Sequence, residues 1–248
     1  MEGITVKLQI MLGLLIFLAT FADVHAEMPS DSPRFQKARQ AMVDEQIRTR
    51  GISDPKVLHA MEHVPRHFFV PPKMHSQAYA DHPLPIGEGQ TISQPYIVAL
   101  MTESLMIKGF ENVLEIGTGS GYQAAVLSEL AHSVTTIEIK KKLFGKTSKL
   151  LTHLNYSNIT TVFGDGYYGW KAKSPYDCIM VTAAVNHIPH PLRQQLKDGG
   201  RLILPLGNPF SYQNLVLVTK QGSKFFVQQI TGVLFVPLTG HALEVQGE

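Results

Sequence analysis

Three closely spaced glycines followed by a distant glutamate predict a site for an adenosine-containing ligand. Gly117, Gly119 and Gly121 follow a short apolar run, residues 112–116, and precede a stretch of good helix formers. Glycine permits positive φ and a close approach of ligand to backbone, and the N-terminus of the next helix offers unpaired N–H groups. Glu138 lies 21 residues after Gly117, near the end of the next apolar run. In a nucleotide-binding βαβ unit, a carboxylate there accepts hydrogen bonds from ribose hydroxyls.

The residues around the glycines favour S-adenosylmethionine (AdoMet) over a dinucleotide. The dinucleotide fingerprint G-x-G-x-x-G needs a third glycine where this chain has Tyr122. Glu115, two residues before the first glycine, would be unfavourable beside a pyrophosphate but suits the sulfonium and amino groups of AdoMet. A glycine-rich turn can also be only a tight connection between strand and helix. With Glu115 and Glu138 in register, we expect AdoMet as the cofactor.

Composition is typical of one globular domain with appendages. The 248 residues are 44% apolar and 17% charged, and a formal charge of +2 does not indicate nucleic acid as the main partner. Cys178 is the only cysteine, which excludes an internal disulfide and disfavours a thiolate metal site. His59, His63 and His67 are spaced four apart, but Pro65 interrupts that helix, so no metal site is predicted.

The first 26 residues resemble a signal peptide. Lys7 precedes the apolar run 8–21, and Val24, His25 and Ala26 end it with the small-x-small pattern of a cleavage site. Fourteen apolar residues are short for a membrane span. We predict a leader over 1–26 and a linker over 27–33, with an uncleaved anchor or a mis-chosen start codon as alternatives.

The next segment, 34–110, is predicted to be helical around a substrate loop. An amphipathic helix over 34–50 should end at Gly51, and Ser53 or Asp54 should cap a second helix. Residues 79–94 are too rich in proline, glycine and polar residues for a regular element and lead into a helix over 95–106. Ser93 is then either a simple N-cap or a functional hydroxyl.

From residue 111 to 240 strands alternate with helices, which predicts a doubly wound, Rossmann-like α/β sheet with right-handed crossovers. An antiparallel hairpin should close the sheet, followed by a tail over 241–248. Ligands in such sheets lie beyond the carboxyl ends of the strands, where the glycines, Glu138, Asp165 and residues 183–186 fall. The predicted strands are 112–116, 134–139, 159–163, 177–182 and 201–206, then 215–219, 225–230 and 233–236; the predicted helices include 140–154 and 192–196, the latter ended by Gly199 and Gly200.

Five motifs read together resemble the protein-L-isoaspartate O-methyltransferase family over residues 34 to 240. GQTISQP (89–95) and FVPLTG (235–240) are the most specific to it. The other three are LEIGTGSGYQ (114–123), GDGYYGW (164–170), and YDCIMVTAA with LKDGGRLILPLG (within 176–207).

The resemblance implies methyl transfer from AdoMet to the α-carboxylate of L-isoaspartyl residues in damaged proteins. The ester then collapses to a succinimide, which hydrolyses partly to aspartate. By the same resemblance, Ser93 is the active-site residue. The implied roles are Gly117, Gly119 and Gly121 against AdoMet, Glu138 at its ribose, Asp165 and Gly166 at its adenine, Thr91 and Ile92 in the Ser93 pocket, and Thr239 near the substrate.

The chemistry explains why a serine without a catalytic triad is sufficient. A carboxyl with a pKa of about 3.7 is already ionised at neutral pH, so no general base is needed. Catalysis still requires that the carboxylate be oriented and partly desolvated. One hydroxyl donor can orient it. We therefore expect Ser93 to orient the substrate rather than to act as a nucleophile.

Two other functions stay open from the sequence. The chain could methylate a small molecule with AdoMet, or it could be an exported binding protein without catalysis. The need for AdoMet places the enzyme in the cytoplasm, and the leader keeps open export to the periplasm or anchoring through 1–26. Isoaspartyl proteins are the expected partners, nucleic acid and integral membrane partners are not expected, and we expect a monomer.

Overall fold

The computed structural model describes residues 30–244, so the predicted leader over 1–26 lies outside the described residues. The chain begins with helix α1 (Pro33–Ala41), which continues through a π-helical turn (Met42–Ile47) and a 3-10 turn (Arg48–Arg50). Gly51, at φ 95°, ends this helical stretch, as predicted. Helix α2 (Pro55–His63) follows, and the carboxylate of Asp54 caps it by accepting the N–H of Lys56 at 2.8 Å.

The prediction of no regular element over 79–94 is wrong, because this segment contains a β-hairpin. Strands β1 (Leu84–Gly87) and β2 (Gln90–Ile92) pair antiparallel. Glu88 and Gly89 both take positive φ between them, as in a two-residue hairpin turn. Composition concealed the hairpin because proline and glycine also occupy its turn and its exposed positions.

Seven strands form the main sheet in the order β5-β4-β3-β6-β7-β8-β9, with β3 to β7 parallel and β8 and β9 antiparallel. Helices pack on both faces, which confirms the doubly wound fold with an antiparallel C-terminal hairpin. The strands are β3 (Asn112–Ile116), β4 (Ser133–Glu138), β5 (Ile159–Phe163), β6 (Tyr176–Val181), β7 (Leu196–Gly207), β8 (Gln213–Gln221) and β9 (Lys224–Val233). The helices are α3 (Pro95–Ser104), α4 (Tyr122–Leu130), α5 (Lys141–His153), α6 (His190–Gln195) and α7 (His241–Glu244).

Three predicted boundaries in the second half of the chain are wrong. Strand β7 begins at Leu196, so Gly199 and Gly200 lie within the strand rather than at the end of a helix. A register shift against β6 accommodates them. Strand β9 is one continuous strand, and residues 234–236, predicted as strand, leave the sheet. The predicted tail contains α7, and Ala242 within it is buried.

The apolar core is divided by the sheet. One side holds apolar residues of α1 to α5, and the other holds those of α6, α7 and the 3-10 turn Gly166–Tyr168. Cys178 is fully buried in the core, as predicted, and burial raises the pKa of its thiol to about 11. Within residues 30–244, no helix has the length and apolarity to cross a membrane, and no three histidine, cysteine or acidic side chains are grouped as metal ligands.

Candidate functional site

Two adjacent cavities open at the carboxyl ends of the parallel strands. Thr91, Thr182 and Val236 line both of them. The smaller one, of about 50 Å³, we call the glycine cavity; its further lining includes Ile116, Gly117, Gly119, Ile137, Glu138, Gly166, Leu238 and Thr239. The larger one, of about 580 Å³, we call the serine cavity; its further lining includes Pro83, Ser93, Gln94, Ile97, Tyr212, Gly232 and Phe235.

Strand register brings the polar groups of the glycine cavity together. Ile116 at the end of β3 pairs with Ile137 of β4 and with Val181 of β6. Gly117, Glu138 and Thr182 therefore each follow a paired residue and emerge at the same edge. The glycine turn and Glu138 were predicted to share this edge, and the structure brings them together.

Glu138 is bound to the glycine turn itself. One carboxylate oxygen accepts the N–H of Gly119 at 2.8 Å, and the other accepts the N–H of Lys140 at 2.8 Å. Its side chain is only 5% exposed, yet it lines the cavity. Because a carboxylate oxygen can accept more than one hydrogen bond, Glu138 can also accept two hydroxyls from a ligand.

Thr182 completes the wall of the glycine cavity and was not predicted. Its hydroxyl lies 2.7 Å from the carbonyl oxygen of Gly117 and 2.9 Å from that of Ile116. A Cβ atom at position 117 would come within 2.5 Å of this hydroxyl, and Gly117 has φ +95°. Only glycine fits here without strain. The sequence offered one indication, since Thr182 directly precedes residues 183–186 at the predicted edge.

Asp165 supports the cavity wall without lining it. Its two carboxylate oxygens accept the N–H groups of Tyr167 at 2.9 Å and His241 at 2.8 Å. The neighbouring Gly166 does line the glycine cavity, and a Cβ atom there would meet Ile116 Cγ2 at 2.3 Å. The side chain of Asp165 thus joins the third parallel strand to α7, and its contact with adenine stays a prediction.

Glu115 was expected beside the cofactor, but it lines neither cavity. Side chains alternate along β3, so Glu115 points to the same face as the core residue Val113 rather than to the open edge. It is fully buried, and Thr136 Oγ1 donates to its Oε2 at 2.5 Å. Burial raises the pKa of this carboxyl to about 8, so it is mostly protonated at neutral pH.

Two other expected site residues also lie outside the lining of these cavities. Gly121 precedes α4 at φ 87°, and a Cβ atom there would meet Thr147 Cγ2 at 2.7 Å. It therefore allows the glycine turn to pack on α5. Ile92 is buried with the apolar core and anchors the chain just before Ser93. Thr239 lines the glycine cavity rather than the serine cavity expected of a substrate contact.

Ser93 lines the serine cavity between β2 and α3. The N-cap residue of α3 is Gln94, so the interpretation of Ser93 as a simple N-cap is not supported. The amide of Gln94 donates to Asp81 Oδ1 at 2.8 Å and thereby fixes the helix start. The backbone carbonyl of Ser93 accepts a hydrogen bond from Arg66 Nη2 at 2.7 Å.

The far wall of the serine cavity comes from the loop before β8 and the segment after β9. Gln213, 1% exposed, braces both: its Oε1 accepts the N–H of Phe235 at 2.8 Å and its Nε2 donates to the carbonyl of Asn208 at 2.9 Å. Tyr212 and Leu234 remain 60% and 79% exposed at the mouth. Apart from the FVPLTG motif, the sequence gave no indication of this wall.

The groups that line the glycine cavity match the chemistry of the adenosine part of AdoMet. Glu138 offers acceptors for ribose hydroxyls, and Ile116, Ile137 and Leu238 offer an apolar surface for an adenine. Side chains larger than hydrogen are excluded at 117 and 166 by atoms 2.5 Å or less from a Cβ, so backbone rather than side chain faces the ligand there.

Comparison with known proteins agrees with this geometry. The family model described as protein-L-isoaspartate(D-aspartate) O-methyltransferase matches residues 37–243. The protein-L-isoaspartate O-methyltransferase 2 of Shewanella sediminis is 64% identical over 224 residues, which cover 90% of this chain and 92% of that one. An enzyme of Nitrosospira multiformis, protein-L-isoaspartate O-methyltransferase 1, is 53% identical over 216 residues, 86% of this chain and 92% of that one.

Solved structures show the same fold. A protein-L-isoaspartate O-methyltransferase superposes with a TM-score of 0.75 at 30% identity, over 84% of this chain and 67% of that one. A Plasmodium falciparum structure, described as a complex with S-adenosyl-L-homocysteine, superposes with a TM-score of 0.71 at 24% identity, over 81% of this chain and 98% of that one.

Proposed function

The chain belongs to the protein-L-isoaspartate(D-aspartate) O-methyltransferase family, and we propose that its two cavities divide the reaction between them. The glycine cavity and the wall that it shares with the serine cavity bind AdoMet, and the serine cavity takes an L-isoaspartyl residue of a damaged protein. The products are the α-carboxyl methyl ester and S-adenosylhomocysteine. The observation that carries this proposal is the shared wall, where Thr91, Thr182 and Val236 face both cavities.

Residues of the glycine cavity hold the cofactor. Gly117, Gly119 and Gly166 offer backbone, Glu138 accepts the ribose hydroxyls, and Thr239 closes the lining from the C-terminal segment. When bound, AdoMet supplies a methyl group activated by a sulfonium. Glu138 stays fixed by the N–H groups of Gly119 and Lys140, so its acceptors are already in place before binding.

Residues of the serine cavity orient the acceptor. The isoaspartyl carboxylate is ionised at neutral pH and needs no base. The hydroxyl of Ser93 donates a hydrogen bond to one carboxylate oxygen and leaves the other free for the transfer. Ile97, Phe235 and Val236 make the surroundings apolar, which strips water from the nucleophilic oxygen.

The open mouth of the serine cavity favours a polypeptide substrate over a small molecule. Exposed Tyr212 and Leu234 lie at the opening, where the residues on either side of an isoaspartate would pass. A small substrate would be expected to be more fully enclosed.

The test is transfer of labelled methyl from AdoMet to a synthetic isoaspartyl peptide, with the aspartyl peptide as control. We expect labelling of the isoaspartyl peptide only. Ser93→Ala should lower kcat about 10- to 100-fold with unchanged AdoMet affinity, because one charge-assisted hydrogen bond is worth roughly 1–3 kcal/mol. Ser104→Ala is the matched control, since the Ser104 hydroxyl only donates to Leu100 O within α3.

Two outcomes would contradict the assignment. AdoMet binding without transfer to either peptide would favour methylation of a small molecule. Equal labelling of both peptides would exclude selectivity for isoaspartate.

We further propose that the enzyme works as a monomer in the cytoplasm, where AdoMet is made. A fusion of residues 1–26 to a reporter that is active only after export tests the location. Reporter activity would favour the periplasmic alternative. Sedimentation at several concentrations tests the monomer.

A further inference from the structure

Arg66 has no exposed surface and, among residues 30–244, no acidic partner. It lies in the 3-10 turn Arg66–Phe69, and within residues 30–244 it forms no ion pair. Arginine is rarely buried without a carboxylate, because removing a guanidinium from water is costly. Burial lowers the pKa of Arg66 to about 10, which still leaves it charged at neutral pH.

The guanidinium of Arg66 connects three segments around the site. Its Nε donates to the carbonyl of Ala78 at 2.8 Å, and its Nη2 donates to the carbonyl of Ser93 at 2.7 Å. The group also lies over the ring of Tyr122, 4.9 Å from the centroid. Tyr122 is the first residue of α4, directly after the glycine turn. One side chain thus connects the segment before β1, the backbone of Ser93 and the start of α4.

The residues on either side of Ser93 are held in place, so the hydrogen bond from Arg66 acts on a short segment between them. Ile92 before it is buried in the core, and Pro95 after it begins α3. Between these two residues, the hydrogen bond from Arg66 restrains the peptide unit to which the Ser93 carbonyl belongs. A charged donor makes that bond stronger than a neutral one would.

We propose that Arg66 is a positioning residue for methyl transfer, which acts by fixing the backbone of Ser93 relative to the glycine turn. It lines neither cavity and touches neither ligand in this account. The inference rests on the proposed function of Ser93 and extends it to a residue 27 positions earlier in the chain.

A double-mutant cycle between Arg66 and Ser93 tests this proposal. Arg66→Met should lower kcat on the isoaspartyl peptide about tenfold, as misplacement of an orienting group does, while the Kd of S-adenosylhomocysteine stays within about twofold. In the Ser93→Ala background the same substitution should have little further effect on kcat, because the hydroxyl that Arg66 positions is already gone.

Arg39→Met is the matched control for burial alone. Arg39 is 7% exposed and also donates to a backbone carbonyl, that of Glu62, but it pairs with Asp31 and lines neither cavity. Its loss should lower stability and leave kcat per folded enzyme unchanged. Arg66→Lys keeps the charge and can replace one of the two hydrogen bonds, so it should recover part of the lost kcat. If Arg66→Met does not fold, Arg66→Lys takes its place in the double-mutant cycle.

Three results would overturn the proposal: independent, multiplicative effects of Arg66 and Ser93 on kcat, an equal loss of kcat in Arg39→Met, or no rescue by lysine. If the wild-type enzyme does not methylate the peptide, the proposed function fails instead. The anchoring is then decided by the crystal structure of Arg66→Met, where an unmoved Ser93 would contradict it.

Discussion

The two cavities are built in different ways. The glycine cavity is formed mainly where parallel strands end in register, so Gly117, Glu138 and Thr182 meet because of sheet topology. The serine cavity is formed by the hairpin β1–β2, the start of α3, the loop before β8 and the segment after β9. Tertiary hydrogen bonds from buried side chains, such as those of Arg66 and Gln213, hold these pieces in place. Cofactor binding should therefore be sensitive to local backbone geometry. Substrate binding should be sensitive to buried side chains that lie far from the cavity in the sequence.

The largest effect on methyl transfer is expected from Gly117→Ala, which alters the glycine turn in the lining of the glycine cavity. The new Cβ would lie 2.5 Å from Thr182 Oγ1, at a φ of +95° that alanine rarely adopts. We expect the Kd of S-adenosylhomocysteine to rise about 100-fold, from roughly 1–3 kcal/mol of backbone strain plus displacement of Thr182. Calorimetric titration measures it.

Gly145→Ala is the control for that substitution. Gly145 lies within α5, and a Cβ atom there would have no neighbour within 4 Å. Alanine should stabilise this helix by about 0.8–1 kcal/mol and leave cofactor affinity unchanged. Equal losses of affinity in both variants would contradict a specific role of the glycine turn in cofactor binding.

An intermediate effect is expected from Gly232→Ala in the wall of the serine cavity. The side chain of Tyr212 crosses this glycine so closely that a Cβ atom would overlap its hydroxyl and its Cζ. Because Tyr212 is exposed, the ring should swing out of the cavity rather than unfold the strand. We expect KM for the isoaspartyl peptide to rise roughly fivefold with unchanged cofactor affinity, since packing against one aromatic ring is lost. Tyr212→Phe, which keeps the ring, should behave as wild type. A changed Kd for the cofactor in Gly232→Ala would contradict the separation of cofactor binding from substrate binding.

The smallest effect on transfer is expected from Glu115→Gln, although this substitution changes stability. The pKa of Glu115, about 8 in the folded protein, exceeds its ordinary value of 4.5. The folded state therefore holds a proton that the unfolded state releases between these pH values, and the free energy of unfolding falls as pH rises through this window. Glutamine should remove this decline in urea unfolding followed from pH 5 to 9, while methyl transfer at pH 7 stays within about twofold. A large loss of methyl transfer in Glu115→Gln would favour a direct contact between Glu115 and the cofactor.

Much of the glycine cavity could be predicted because its information is local. A strand, a glycine turn and a helix are consecutive in sequence, and Glu138 follows at a fixed interval. Glu115 was misplaced because strand alternation turns its side chain to the core, away from the edge where its neighbours emerge. Thr182 was missed because one threonine after an apolar strand has no distinctive pattern.

The serine cavity was predictable only through its motifs. Ser93 lines the serine cavity, and its role stays a prediction from the GQTISQP motif, while the hairpin β1–β2 beside it was concealed by its composition. Gln213 and Arg66 are separated by long stretches of sequence from the segments that they hold, so no local rule indicates them. Such contacts become visible only once the chain has folded.

The most direct test of this division between the cavities is calorimetric titration of S-adenosylhomocysteine into the wild-type enzyme, Gly117→Ala and Ser93→Ala. The account predicts an affinity about 100-fold weaker for Gly117→Ala and wild-type affinity for Ser93→Ala, although both variants are impaired in methyl transfer. A Ser93→Ala enzyme that also loses the cofactor, or a Gly117→Ala enzyme that binds it normally, would contradict the separation of cofactor binding from substrate orientation.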